Sequence, residues 1–398
     1  MLPFYSACLA FCFWTSTADG GAPSFMSLSD LEGAPFSSTA YAVSADGLVV
    51  VGNGNSADGE EAFKWTESSG MVGMGDLPGG VFRSDAWAVS GDGSTIVGSS
   101  SSLESDPHFE ACRWTASQGP MTLGTLPGGD HNSVARGVSA DGSVIVGRAT
   151  SANGIEAFIW TEQSGMVGLG DLAVGSSWSE ANAVSGDGST VVGAGLGGGA
   201  AFSWRQGIGM QGLGSLSPGD ASAALAVNYD GSVIVGRSNN FDGQAEAFRW
   251  TESDGMVGLG MLPQTSYAQA NAVSADGSVI VGHALGSIEN VAFIWDSILG
   301  IQLLQDVLTI DYGIDLDGWR ITEARGISAD GTVIVGFGYN PDGNYEGWRV
   351  VIPEPTTVAS LLLTIPFAFH RCRKKHSAKN AHGCPQTTWE TSGYFLTL

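Results

Sequence analysis

The sequence predicts an all-β protein: a seven-bladed β-propeller of four-stranded antiparallel blades, its ring closed by the N-terminal strand. Three observations predict this. First, the block Ala-Val-Ser-Ala-Asp-Gly-Ser-Val-Ile-Val-Gly at 272–282 recurs around Asp46, Asp92, Asp141, Asp187, Asp230, Asp276 and Asp330, at spacings of 46, 49, 46, 43, 46 and 54. A fixed period of this size marks a repeat architecture. Second, each unit reads as four short strands split by tight turns, and is too small to bury its own apolar face. Third, the seventh copy stops after its third strand, near Val351, and the missing fourth strand stands at the other end of the chain. An open β-repeat array is the alternative; ring closure is favoured because it removes the exposed edges that an open array leaves.

In chain order, residues 1–18 read as a signal peptide. Phe4 to Trp14 are mostly apolar and Ser16-Thr17-Ala18 offers small residues for cleavage, although Met1-Leu2-Pro3 brings no positive side chain. The repeat body spans 25–352. Its first segment, Phe25-Met26-Ser27-Leu28-Ser29-Asp30-Leu31, mimics Met71-Val72-Gly73-Met74-Gly75-Asp76-Leu77 and so reads as a displaced fourth strand.

The unit at 133–172 shows the others. Ser133 to Ser139 is a first strand. Ala140-Asp141-Gly142 turns the chain, since Asp-Gly tolerates the positive φ of tight hairpin turns. Val144-Ile145-Val146 is an unbroken β-branched run, expected to be covered on both faces. Ala157-Phe158-Ile159-Trp160 is the third strand and Met166 to Leu172 the fourth. One Trp per unit recurs at 65, 114, 160, 204, 250 and 295; a constant offset points to packing between blades rather than to a ligand platform. The long 54-residue spacing reflects extra sequence between Leu303 and Ile321, with a short helix expected near Leu303–Leu308. Asp306, Asp311, Asp315, Asp317, Tyr312 and Trp319 gather there, which makes the insertion a candidate contact surface.

Composition narrows the function. A formal net charge of −24 repels phosphate backbones, so nucleic acid is excluded as a partner. Of five cysteines only Cys112 lies in the repeats, in a slot that holds Phe in most copies, so the body is not a disulfide scaffold and Cys112 reads as a small buried residue. Each Asp-Gly turn offers one carboxylate, too few for an EF-hand, and the Asp reads as the cap of its own hairpin. His108, His131, His283, His370, His376 and His382 keep no common offset, so spacing indicates no zinc site. No nucleophile elbow or phosphate loop is present. No catalytic residue, metal ligand or cofactor is assigned, and the body reads as a monomeric non-enzyme.

The C-terminal tail differs in composition. Pro353-Glu354-Pro355 ends the β pattern, Thr356 to His370 is mostly apolar but short for a free-standing membrane span, and Arg371, Arg373, Lys374 and Lys375 form a basic cluster. Residues 376–398 are a polar tail.

Two resemblances meet these residues. The units resemble HAF-type extracellular repeats, named for a His-Ala-Phe tripeptide before Trp. Here it stands as Glu61-Ala62-Phe63, Glu156-Ala157-Phe158 and Glu246-Ala247-Phe248, with Ala200-Ala201-Phe202 and Val291-Ala292-Phe293 as variants. Segment 353–375 resembles a PEP-CTERM sorting signal: Pro353, Glu354 and Pro355, an apolar stretch, then the basic cluster. That resemblance implies an exosortase-type processing enzyme as partner, a transient inner-membrane association through 356–370, and a setting of exopolysaccharide production. Together they imply an exported binding or structural module of the bacterial cell surface, outer envelope or extracellular matrix. The alternatives are a propeller-fold glycosidase or lyase, and an adhesin or autotransporter-type passenger.

Overall fold

The computed structural model describes residues 22–33, 35–105, 108–116, 118–172, 178–195, 199–286 and 288–353. Seven four-stranded antiparallel sheets repeat around an axis. In blade one the strands are Ser38–Val43, Val50–Asn55, Glu60–Thr66 and Gly70–Gly73, paired in sequence order. In blade seven the order is Arg320–Ile327, Val333–Tyr339 and Tyr345–Val351, with Ser24–Ser27 as the outermost strand. Ser24 pairs with Val351 and Ser27 with Trp348, so the first described strand completes the last blade, as the sequence predicts.

The blades bury each other. The second strands carry Val50 and Val51, Val191 and Val192, and Val281 and Ile280, all fully buried because one side chain faces the preceding blade and the next faces the following one. Their third-strand neighbours Phe63, Phe158, Phe202, Phe248 and Phe293 are fully buried too, and Cys112 fills the same slot in blade two. Val49 and Val51 of blade one pack with Leu77, Ile96, Cys112 and Trp114 of blade two, so the Trp stripe is inter-blade packing.

The Asp-Gly turns close a second circle. Each Asp caps its own hairpin: Asp92 Oδ1 accepts from the Ser90 hydroxyl at 2.7 Å and from the Ser94 N–H at 2.9 Å. Those donors hold the Asp92 carboxyl down at about 2. The turns then bond to one another. Ala45 N–H donates to Gly91 O, Gly91 to Ala140, Ala140 to Gly186, Asp187 to Tyr229, Tyr229 to Ala275, Ala275 to Ala329, and Ala329 back to Ala45, at 2.9–3.3 Å. The turn glycine is required on two counts. At Gly93 φ is +71°, and a Cβ would lie 2.6 Å from Cγ2 of Val49 in the preceding blade.

The insertion folds as a helical turn, an α-helix at Leu304–Asp306 running into a π-helical turn at Val307–Asp311. Leu304, Leu308 and Trp319 are buried with blade-six and blade-seven residues. Trp319 meets Phe25 of the closing strand edge-on at 5.3 Å. Among the described residues no helix is long and apolar enough to cross a membrane.

Candidate functional site

The inner strand of every blade carries a one-residue bulge against its second strand. The breaks fall at Ala40/Ala42, Ala86/Ala88, Ala135/Gly137, Ala181/Ala183, Ala224/Ala226, Ala270/Ala272 and Ala324/Gly326. A bulged residue leaves the ladder and its side chain is re-aimed. The seven bulged residues are Tyr41, Trp87, Arg136, Asn182, Leu225, Asn271 and Arg325, and all seven line one cavity of about 140 Å³, which Gln269 also touches. A cavity lined from all seven blades is the axial channel. Small residues on either side of the bulge let the strands approach the axis, while the bulged residue varies from blade to blade, as does the residue two positions before it (Thr39, Asp85, Glu180 and Glu323 among others).

The ring has two unlike halves. On one side, Asn182 and Asn271 donate to the next blade's backbone, to Ala224 O at 2.9 Å and Ala324 O at 2.8 Å. Asn271 also accepts from Gln269 at 2.8 Å and meets His283 Nδ1 at 3.1 Å. Burial lowers His283 to about 4, against the opposing pull of Glu323, so its imidazole is neutral at pH 7.

The other side runs Arg325, Tyr41, Trp87, Arg136 through four consecutive blades. Tyr41 and Trp87 stack at 4.6 Å with 22° between their planes. The Arg136 guanidinium lies 5.4 Å from the Trp87 ring centre, and that of Arg325 lies 5.4 Å from Phe337. Arg136 and Arg148 share one carboxylate, Glu180, at 4.0 and 3.9 Å, while Arg325 pairs with Glu323 at 2.6 Å. The Nε atoms of Arg136 and Arg325 are buried without a hydrogen-bond partner. Burial lowers the proton affinity of Arg136; Glu180 opposes that, and Arg148 and Arg325 add to it.

Features singled out in the sequence take other places. The tripeptide Glu is a clamp: Glu61, Glu156 and Glu246 accept from the N–H groups of Gly75, Gly170 and Gly260, each at 2.9 Å, tying the third strand to the exit of the fourth. In blade seven Glu346 accepts from the Ser29 N–H at 3.1 Å, so the same clamp fastens the closing segment. The insertion flanks a groove of about 370 Å³ lined by Leu262, Ile301, Val307 and Ile310 among others. Asp306 and Asp311 reach that groove, whereas Trp319 is buried in the closing seam. Glu104, Glu110 and His131 come together although they are scattered in sequence. His131 there bridges the two carboxylates at 3.4 and 3.5 Å, and Glu110 also accepts from Thr122 at 2.7 Å. Of the sorting residues only Pro353 is described, half-buried at the end of the body. Glu354, Pro355, Arg371, Arg373, Lys374 and Lys375, the apolar stretch 356–370 and the signal segment 1–18 lie outside the described residues.

No protein-family model and no curated protein sequence matches the chain. Solved structures share the fold at low identity. An oligogalacturonate lyase in complex with manganese aligns with a TM-score of 0.51 at 11% identity, over 84% of this chain and 97% of that one. TolB from Acinetobacter baumannii aligns with a TM-score of 0.43 at 13% identity, over 66% of this chain and 64% of that one. At 11% identity the lyase alignment bears on the fold and on nothing finer.

Proposed function

We propose that this protein is an exported binding module of the bacterial cell surface or extracellular matrix, and that it takes its ligand at the ring of bulged side chains in the axial channel. One observation carries the reading. Seven bulged side chains, one from each blade and different in kind around the ring, converge on one cavity between small neighbouring residues.

Binding is favoured over hydrolysis because none of the seven ring side chains is a carboxylate, whereas glycoside hydrolysis ordinarily needs a pair. Asp85 is the buried carboxyl raised nearby, by desolvation and then by Glu60, but it is held by Asn53 at 2.7 Å and does not line the cavity. Delivery rests on the two ends of the sequence. Residues 1–18 serve export, and Pro353, Glu354 and Pro355 with the basic cluster at 371–375 serve an exosortase-type enzyme.

The test is retention of the purified chain on a panel of immobilised bacterial exopolysaccharides, beside the Trp87→Ala/Leu225→Ala variant. Retention of the wild type and its loss in a variant with unchanged melting is expected. Equal retention of both would remove the channel from the function. Release of unsaturated uronate products, followed by ultraviolet absorbance, would favour the lyase alternative. A C-terminal peptide ending near 355 in the mature surface protein is expected by mass spectrometry; a retained tail would refute the sorting role.

A further inference from the structure

Resting on that reading of the channel, we propose that the arc Arg325, Tyr41, Trp87, Arg136 is a subsite for a uronate, the carboxylate-bearing ring of an acidic sugar.

The asymmetry of the ring locates the subsite. Asn182 and Asn271 spend their amides on neighbouring backbone carbonyls and so serve the fold. The opposite arc carries charge and aromatic surface into the cavity, and among the described residues none of its four side chains hydrogen-bonds a neighbouring blade's backbone. The positive charges at the arc are those of Arg136, Arg148 and Arg325, set beside Glu180 and Glu323, with Asp85 and Glu60 acting on Tyr41, in a chain whose net charge is −24. His283 is neutral and adds none. The Nε atoms of Arg136 and Arg325 are unpartnered and closed to solvent, so a ligand would meet the outer nitrogens of each guanidinium. A guanidinium presents donors in a fork that matches a carboxylate, and in a half-buried site that pairing is stronger than in water.

Size and shape favour a sugar over a larger anion or a peptide. The 140 Å³ cavity has room for about four or five waters at roughly 30 Å³ apiece, which suits one pendant acid group and the edge of one ring. The stacked Tyr41–Trp87 pair lies between the two arginines around the channel and, with Arg136 over Trp87 and Phe337 against Tyr41, gives the cavity an aromatic flank for the apolar edge of that ring. An acidic peptide would use the arginines and leave the aromatic pair idle.

The experiment is titration calorimetry of the full chain with trigalacturonate, with its methyl ester, which has the same rings without charge, and with triglutamate, which has carboxylates without rings. The acid form is expected to bind at least about tenfold more tightly than the ester or the peptide. Arg325→Gln and Arg136→Gln should each weaken it by about tenfold, and Trp87→Ala should weaken it too, with melting temperatures unchanged. Should Arg136→Gln fail to fold, Arg325→Gln and a fall in wild-type affinity with added salt decide the matter. Equal binding of acid and ester, with the arginine variants unaffected, would overturn the uronate subsite. If Trp87→Ala still weakened binding in that case, the channel reading would survive. Triglutamate binding as tightly as trigalacturonate would overturn the sugar assignment. Silence toward trigalacturonate at millimolar concentration, with exopolysaccharide retention still lost in Trp87→Ala/Leu225→Ala, would sink the subsite alone.

Discussion

Leu28→Ala tests the closure of the ring at a single side chain. Leu28 follows the closing strand Ser24–Ser27 and is 1% exposed. It packs with Ala40, Phe63 and Trp65 of blade one and with Val333 and Val335 of blade seven, so it spans the seam between the chain's two ends. Its N–H donates to Gly347 O at 3.0 Å, which fixes the backbone and prevents the seam from collapsing onto a truncated side chain. A Leu-to-Ala change at a rigid buried site loses transfer energy and leaves a cavity, together about 3 kcal/mol within a range of 2–5. Against a total stability of about 5–15 kcal/mol that is a large share. The matched control is Leu48→Ala, on a turn where Leu48 is 58% exposed; its effect should stay within about 0.5 kcal/mol. Urea unfolding of the wild type and both variants, followed by tryptophan fluorescence, reads the difference. A Leu28→Ala midpoint indistinguishable from that of Leu48→Ala would refute the closed seam.

Other consequences follow from the turns and the channel. Gly93→Ala should destabilise by about 1–3 kcal/mol, because the turn needs positive φ and the new Cβ would strike Val49; unchanged melting would refute the turn geometry. The carboxyls of Asp92, Asp141, Asp230, Asp187, Asp276 and Asp330 are all depressed. In the first three, Ser hydroxyls lead; in the last three burial opposes and the hydrogen bonds outweigh it. The unfolded chain therefore binds more protons than the folded one below about pH 4, the ordinary Asp range. Stability contributed by these caps should be full above that pH and fall toward pH 2; Asp92→Asn should flatten the slope, and an unchanged acid-melting profile would contradict the assignment. His283, lowered to about 4, should show no imidazole NMR titration between pH 5 and 8, whereas a midpoint near 6.5 would place it in water. Glu156→Ala should cost about 0.5–1.5 kcal/mol in thermal unfolding by handing the exposed Gly170 N–H to water, and an unchanged transition would dismiss the clamp.

Much of the architecture was legible because it is periodic and local. Val144-Ile145-Val146 announces a doubly covered strand, Asp141-Gly142 a tight turn, and Phe25 to Leu31 a transplanted fourth strand, each through backbone chemistry that acts over a few residues. The inter-blade role of Trp114 and the burial of Cys112 followed from slot equivalence. The channel ring was harder to read because its signal is an absence of pattern. Tyr41, Trp87, Arg136, Asn182, Leu225, Asn271 and Arg325 each stand five residues before a turn Asp, and the repeated block at 272–282 begins one residue after Asn271. A variable position set in a near-constant frame looks like a gap in the repeat until the bulge aims it at the axis. The meeting of Glu104, Glu110 and His131, and of Trp319 with Phe25, depends on long-range packing that spacing does not encode. The tripeptide Glu became intelligible only once the fourth strand's exit lay beneath it.

The most direct measurement is a crystal structure of the full chain grown with trigalacturonate. Density for a sugar ring against Tyr41 and Trp87, with its carboxylate between the guanidinium groups of Arg136 and Arg325, is the predicted result. Density confined to the groove beside Ile310, with the channel filled only by solvent, would contradict it.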